Sequence, residues 1–225
     1  MNILRMESAP PLTEFSPQWN IPIGVKKFDN NHAIENIKNF LIQKEPKIIS
    51  TISYDYDGTT KLSKNSVTGR FTHYNLFQFT DECPDLKILF DFFKQSYIDY
   101  VTAEDLNPRS TELVCWFNAL RKGEKVHEHN HGAGNDVYLS GNFILEDHQT
   151  KTHYKCPYDR DVIISIPNLK GLLTIFPSFV YHYSDTYEDS GIRHSIAFDI
   201  RIPGIQESKE RLAINFWKDN DIHFS

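Results

Sequence analysis

The sequence predicts a mainly β fold with α-helices flanking it. Three observations carry this expectation: seven short apolar or alternating runs follow Ser110, two amphipathic helical patterns precede them, and aromatic residues make up 13% of the 225 residues. Aromatic side chains suit pleated, half-buried surfaces. A run of short strands after a helical stretch points to a β-sandwich or barrel with helices packed on one side.

Residues 1–25 carry several prolines and no clear period, and are expected to lie as an extended, irregular segment over the fold. From Asp29, DNNHAIENIKNFLIQKE reads as a helix. Asp29 to Asn31 offer caps, and Ala33, Ile34, Ile37 and Leu41 form one apolar face. The second helix follows Cys83-Pro84, with Leu86, Leu89, Phe90, Phe93 and Tyr97 at helical spacing and Pro84 suited to a first turn. The strand candidates are TELVCWFNAL, DVYLSGNFIL, KTHYKC, DVIISI, GLLTIF, VYHY and IRHSIAFDIRI, separated by Gly, Pro, Asn and Asp. One domain is expected over 1–225: an α-rich portion at 1–110, a β core at 111–203 and an extension at 204–225.

Bulk properties narrow the function classes. A formal net charge of −6, with no Lys/Arg block, argues against a nucleic-acid surface. The three cysteines (Cys83, Cys115, Cys156) lie far apart and form no CxxC, which suits a reducing compartment. No run approaches the ~18 apolar residues of a transmembrane helix, and the first residues lack the apolar core of a signal peptide. A cytoplasmic protein is the expectation. Nucleophile elbows, P-loops and dinucleotide fingerprints are absent from the sequence. Cys156 is expected to be structural.

The chemistry concentrates in KGEKVHEHNHGAGNDVYLSG, where His127, His129 and His131 occupy alternate positions. Alternate residues on a strand share a side, yet three in a row span too far for all to reach one ion easily, so one is expected to be a bystander. His182, in GLLTIFPSFVYHYSD, is the distant third candidate. A His-x-His pair plus one remote His leaves part of the coordination sphere open, as catalysis requires.

The spacing resembles the cupin motifs. Gly123, five residues, then His129-x-His131 matches the first; Gly171, five residues, Pro177, then His182 matches the second, with Phe179 in place of its usual glycine. The segment from His182 to Arg193-His194-Ser195 resembles the distal His and Arg-x-Ser of the 2-oxoglutarate/Fe(II)-dependent oxygenases. It also looks like a microbial and phage branch of that superfamily, with W-x-N, a Lys-Gly turn, H-x-H, a Ser-Gly strand and a late FPS…H…R, over residues 112–201.

The resemblance implies a double-stranded β-helix (jelly-roll, cupin-like) with a helical N-terminal third, and an oxygenase that hydroxylates an unactivated C–H bond with Fe(II) and 2-oxoglutarate. It implies His129, His131 and His182 as iron ligands, and Arg193 as the anchor of the co-substrate's far carboxylate, helped by Ser195 and Asn118. The expected partner is a small-molecule or peptide substrate, with no nucleic acid and no membrane, and nothing stands against a homodimer.

Two departures matter. His131 stands where most of the superfamily carries Asp or Glu, and Asp136 is a candidate to supply the missing charge. The pair His127-x-His129 is the alternative to His129-x-His131. Other readings are a three-His cupin dioxygenase or isomerase working without 2-oxoglutarate, and a ligand-binding module without activity. Trp116 is expected in the core. Tyr138, Ser140 and Asn142 share one side of a strand, while His153, Tyr154 and Lys155 form a weaker group. His32, His148 and His223 are expected at the surface, with Glu128 and Asp147 solvated.

Overall fold

The computed structural model describes residues 1–132, 137–203 and 212–218. Among them all seven anticipated strands form: β3 (Thr111–Arg121), β4 (Val137–Ile144), β5 (Lys151–Lys155), β6 (Ile163–Pro167), β7 (Leu172–Pro177), β8 (Tyr181–Ser184) and β9 (Ile192–Arg201). Three more join them. β1 (Asn2–Glu7) and β2 (Asn20–Lys27) occupy the segment expected to be irregular, and β10 (Ile214–Trp217) lies near the C-terminus. The large sheet runs β1-β2-β7-β4-β9-β3-β10 and the small one β6-β5-β8.

β2 contains Pro22, which weakens any strand signal. It pairs with β1 on one side and β7 on the other, and the Tyr100 hydroxyl donates to the Pro22 carbonyl at 3.1 Å. Tertiary pairing overrides local propensity here.

Both helices appear with the anticipated faces. α1 (Asn31–Thr51) starts at the Asn30 cap, whose side chain accepts from the Ala33 N–H, and buries Ala33, Ile34, Ile37 and Leu41. It continues past Pro46, beyond its expected end. Ile48 is buried beyond the proline, and the Arg70 Nε donates to the Ile52 carbonyl at 2.7 Å. That packing and capping offset the missing N–H. α2 (Asp85–Ala103) buries Leu86, Leu89, Phe93 and Tyr97.

The two layers define two main cores, beside a small cluster of Leu62, Leu120 and Tyr187. On the outer face of the large sheet, Ile37, Leu41, Leu89 and Phe93 pack with Phe117, Phe143 and Phe198; the Phe93 and Phe198 rings lie 4.6 Å apart. Each such side chain contributes about 2–3 kcal/mol by burial. Between the sheets a smaller cluster holds Ile23, Tyr154, Ile166, Phe176 and Val180. The rest of that inner space mixes polar side chains with Trp116, Val126 and Ala197, and it holds the candidate site.

Gly123 and Gly171, which open the two spacing motifs, have φ of +83° and +75°. Only glycine takes that conformation without strain. Gly123 closes the turn after β3 and donates to the Tyr187 carbonyl at 2.7 Å, while Gly171 leads into β7 and donates to the Ile144 carbonyl at 2.7 Å. The motif glycines thus set where the histidine segments begin.

Two local expectations fail for tertiary reasons. His148 is not a surface residue: its side chain is 6% exposed, with Nε2 3.5 Å from Glu146 Oε1 and its ring 5.3 Å from that of Tyr187. Tyr138 does not share a face with Ser140. A register shift between Val137 and Leu139 swings it outward, where it meets Tyr97 at 6.5 Å edge-on.

His194 alternates with Arg193 on β9 and is 1% exposed, with neither ring nitrogen hydrogen-bonded. Burial lowers its pKa to about 4, with Glu146 pulling upward and Lys38 and Arg121 downward. The folded pKa lies below the unfolded value of about 6.5. The folded state therefore binds fewer protons between these values, and stability falls as pH drops from about 6.5 toward 4. His194→Gln, neutral throughout, is expected to lose about 2 kcal/mol less stability than the wild type between pH 7 and pH 5. Urea unfolding at the two pH values measures this; identical losses would exclude His194 as a source of acid sensitivity.

Candidate metal centre

The segment bearing the three clustered histidines is not a full strand. It runs beside β8 as an extended chain, held by a bridge in which His129 and His182 exchange backbone hydrogen bonds of 3.1 and 2.8 Å. His131 N–H donates to the Ser178 carbonyl at 2.9 Å. This pairing carries the two motifs to one another.

Ligand nitrogens of His129, His131 and His182 all lie within 4.8 Å of each other, and the Nε2 atoms of His129 and His131 are 3.2 Å apart. Neighbouring ligands each about 2.1 Å from one ion stand roughly 3 Å from each other. The Nδ1 atoms face away from this point of convergence. His129 Nδ1 lies 2.7 Å from the His127 carbonyl, and His182 Nδ1 lies 3.2 Å from that of Val180. A carbonyl can only accept, so each of these nitrogens carries the proton and leaves Nε2 with a free lone pair. His131 Nδ1 faces the Asp199 carboxylate at 2.5 Å.

Burial and the neighbouring His131 lower the His129 pKa to about 4, against the opposing pull of the His127 carbonyl. Burial, with His129 and His131, holds His182 well below its ordinary value. Both rings are neutral at pH 7, as a metal ligand must be.

His127 stands apart. Its ring is half-buried and outside the cluster, and its contribution is the carbonyl that orients His129. The alternative pair His127-x-His129 is therefore not assembled. Asp136 and His223 lie outside the described residues.

The three rings line a cavity shared with Arg193, Ser195, Asn118 and Trp116. Trp116 is both core and wall: it is buried, and its ring lies 5.9 Å from that of His131. Asn118 and Ser195 are cross-strand partners on β3 and β9. Asn118 Oδ1 accepts from the Thr68 hydroxyl at 2.7 Å, so its amide nitrogen is the group left to donate.

Arg193 is 3% exposed, and its Nε and Nη1 have no hydrogen-bond partner. Burial lowers its pKa to about 10, against the pull of Tyr154, Asp185 and Tyr187; it remains charged at pH 7. Asn142, which also lines the cavity, belongs to a closed polar ring with Tyr154 and Thr174 behind it. Asn142 Nδ2 donates to the Tyr154 hydroxyl at 3.1 Å, Tyr154 to Thr174 Oγ1 at 2.6 Å, and Thr174 to Asn142 Oδ1 at 2.9 Å. That ring satisfies itself, whereas Arg193 is a buried cation with unmade hydrogen bonds.

No protein-family model matches the sequence, and no curated protein matches it. Solved structures are similar to it. A prolyl-4-hydroxylase from Pseudomonas putida superposes with a TM-score of 0.57 at 13% identity, over 80% of this chain and 92% of that one. SnoK, a non-heme alpha ketoglutarate dependent carbocyclase from nogalamycin biosynthesis, gives 0.55 at 10% identity, over 83% and 84%. The fold is the double-stranded β-helix of the 2-oxoglutarate oxygenases. A prolyl hydroxylase from Trichoplax adhaerens, in complex with a hypoxia inducible factor peptide fragment, also shares it, with a TM-score of 0.53 at 11% identity over 80% and 83%.

Within this double-stranded β-helix, sequence reasoning passed over Asp199. The signal was present: Arg193, Ser195, Ala197 and Asp199 alternate along β9, and a carboxylate at an inward position of an apolar strand needs a partner. Asn142 was legible from its alternation with Ser140 and does line the cavity, whereas Thr174 carried no comparable signal, because hydroxyls are common in strands without a site.

Among the described residues no helix is long and apolar enough to cross a membrane.

Proposed function

We propose that the protein is an Fe(II)- and 2-oxoglutarate-dependent oxygenase that hydroxylates a small-molecule or peptide substrate. The observation that carries this reading is the buried Arg193 guanidinium, with hydrogen-bonding capacity unspent, in the cavity lined by the three histidines. A buried cation with donors to spare calls for an anion, and a guanidinium matches a carboxylate bidentately. His129, His131 and His182 hold the ion; Arg193 takes the far carboxylate of 2-oxoglutarate. Ser195 and Asn118 add hydrogen bonds beside it, and Trp116 shields the centre from water. When bound, iron and the keto acid supply oxygen activation and the oxidation of the C–H bond. The chain's own part is to orient the reactants and exclude water, so no side-chain base is required.

Anaerobic titration of the Fe(II)-loaded protein with 2-oxoglutarate tests the reading. Weak visible absorption growing to saturation at one equivalent is the expected result. Metal binding with neither absorption nor 2-oxoglutarate affinity would sink it, and would favour a three-His dioxygenase or isomerase. That second reading draws on the imidazole at position 131, where a carboxylate ligand is absent.

A further inference from the structure

The three histidines differ in what stands behind them. His129 and His182 back onto neutral carbonyl oxygens, whereas His131 backs onto the carboxylate of Asp199, 2% exposed and 2.5 Å from its Nδ1. The Ser140 hydroxyl donates to the same Oδ1 at 2.8 Å. Ser140 and Asp199 face each other across the β4–β9 ladder, so the sheet register itself aims the carboxylate at the ring.

A carboxylate at hydrogen-bond distance from the outer nitrogen of a ligating imidazole fixes the ring's orientation and raises its electron donation. It also places a negative charge beside a low-dielectric site that otherwise offers the ion three neutral ligands. We propose that Asp199 is a positioning residue of the metal centre, and that the His131–Asp199 pair serves as its anionic ligand. The charge that a two-histidine, one-carboxylate centre carries on the ion is here carried one bond network further out, on β9 of the large sheet. The inference rests on the metal-binding part of the proposed function and is independent of 2-oxoglutarate.

The test is Co(II) affinity by anaerobic calorimetry for the wild type, Asp199→Asn, His131→Ala and the double variant. Asp199→Asn keeps the shape and removes the charge, and is expected to raise the Kd roughly 10–100-fold. In the His131→Ala background the same substitution is expected to change the Kd less than about 3-fold, because the charge acts through that ring. The Co(II) visible spectrum is also expected to shift in Asp199→Asn, which a loss of folding alone would not produce.

An equal loss in both backgrounds, or an unchanged Kd in Asp199→Asn, overturns the inference. Should Asp199→Asn fail to fold, Ser140→Ala replaces it in the same cycle, with a smaller loss that again vanishes without His131. Absence of the 2-oxoglutarate absorption in the wild type would leave the Asp199 result standing while removing the oxygenase reading. An unaffected Kd with that absorption intact would do the reverse.

Discussion

Exchange of His182 for alanine is expected to weaken divalent-metal binding by roughly 10²–10³-fold and to abolish 2-oxoglutarate-dependent absorption. Four-ligand zinc sites bind with about 10–16 kcal/mol, so one ligand's share is about 3–4 kcal/mol. His182 is the member of the histidine cluster supplied by the small sheet, and its backbone bridge to His129 is independent of its side chain. The alanine variant therefore keeps the strand pairing that places His129 and His131. Calorimetric titration with Co(II), alongside a thermal melt, checks the result. Wild-type affinity in a folded His182→Ala protein would remove the three-histidine centre altogether.

Arg193→Met is expected to move two measurements in opposite directions. Binding of 2-oxoglutarate should weaken roughly 30- to 5,000-fold, the loss of about 2–5 kcal/mol typical of a buried hydrogen-bonded charge pair. Metal affinity should stay near the wild-type value, since Arg193 is not among the clustered histidines. The ligand-free protein, by contrast, should become more stable by about 1–3 kcal/mol. A guanidinium whose pKa burial lowers to about 10 is a buried charge held at an energetic cost, and methionine fills the space of its aliphatic stem without that cost. A site kept for function at the expense of stability behaves this way. Destabilisation by Arg193→Met, with 2-oxoglutarate binding intact, would make Arg193 a structural residue and leave the proposed function without its main support.

The legibility of the site followed the range of its interactions. The helix faces around Ile37 and Phe93 could be read because each residue's burial follows from a 3.6-residue period. The histidine pair and His182 could be read because two glycines requiring positive φ stand a fixed number of residues upstream of each motif. β1 and β2 could not. Their stability comes from pairing with one another and with β7, and Pro22 masks what local signal exists. The same holds for α1 beyond Pro46, where the carbonyls are taken by Arg70 from a distant turn, and for His148, buried by Tyr187 and Glu146.

By itself the sequence determined which residues alternate to one side of β3 and β9 and how far each histidine stands from its turn glycine. Those are properties of a few neighbouring residues, written in local periodicity. Only the tertiary structure decided which inward faces meet. It set His127 aside as a backbone acceptor, left Arg193 as an unpaired cation beside the three rings, and put Asp199 behind His131. Each outcome depends on the register between strands far apart in the chain, which a period-two pattern cannot specify.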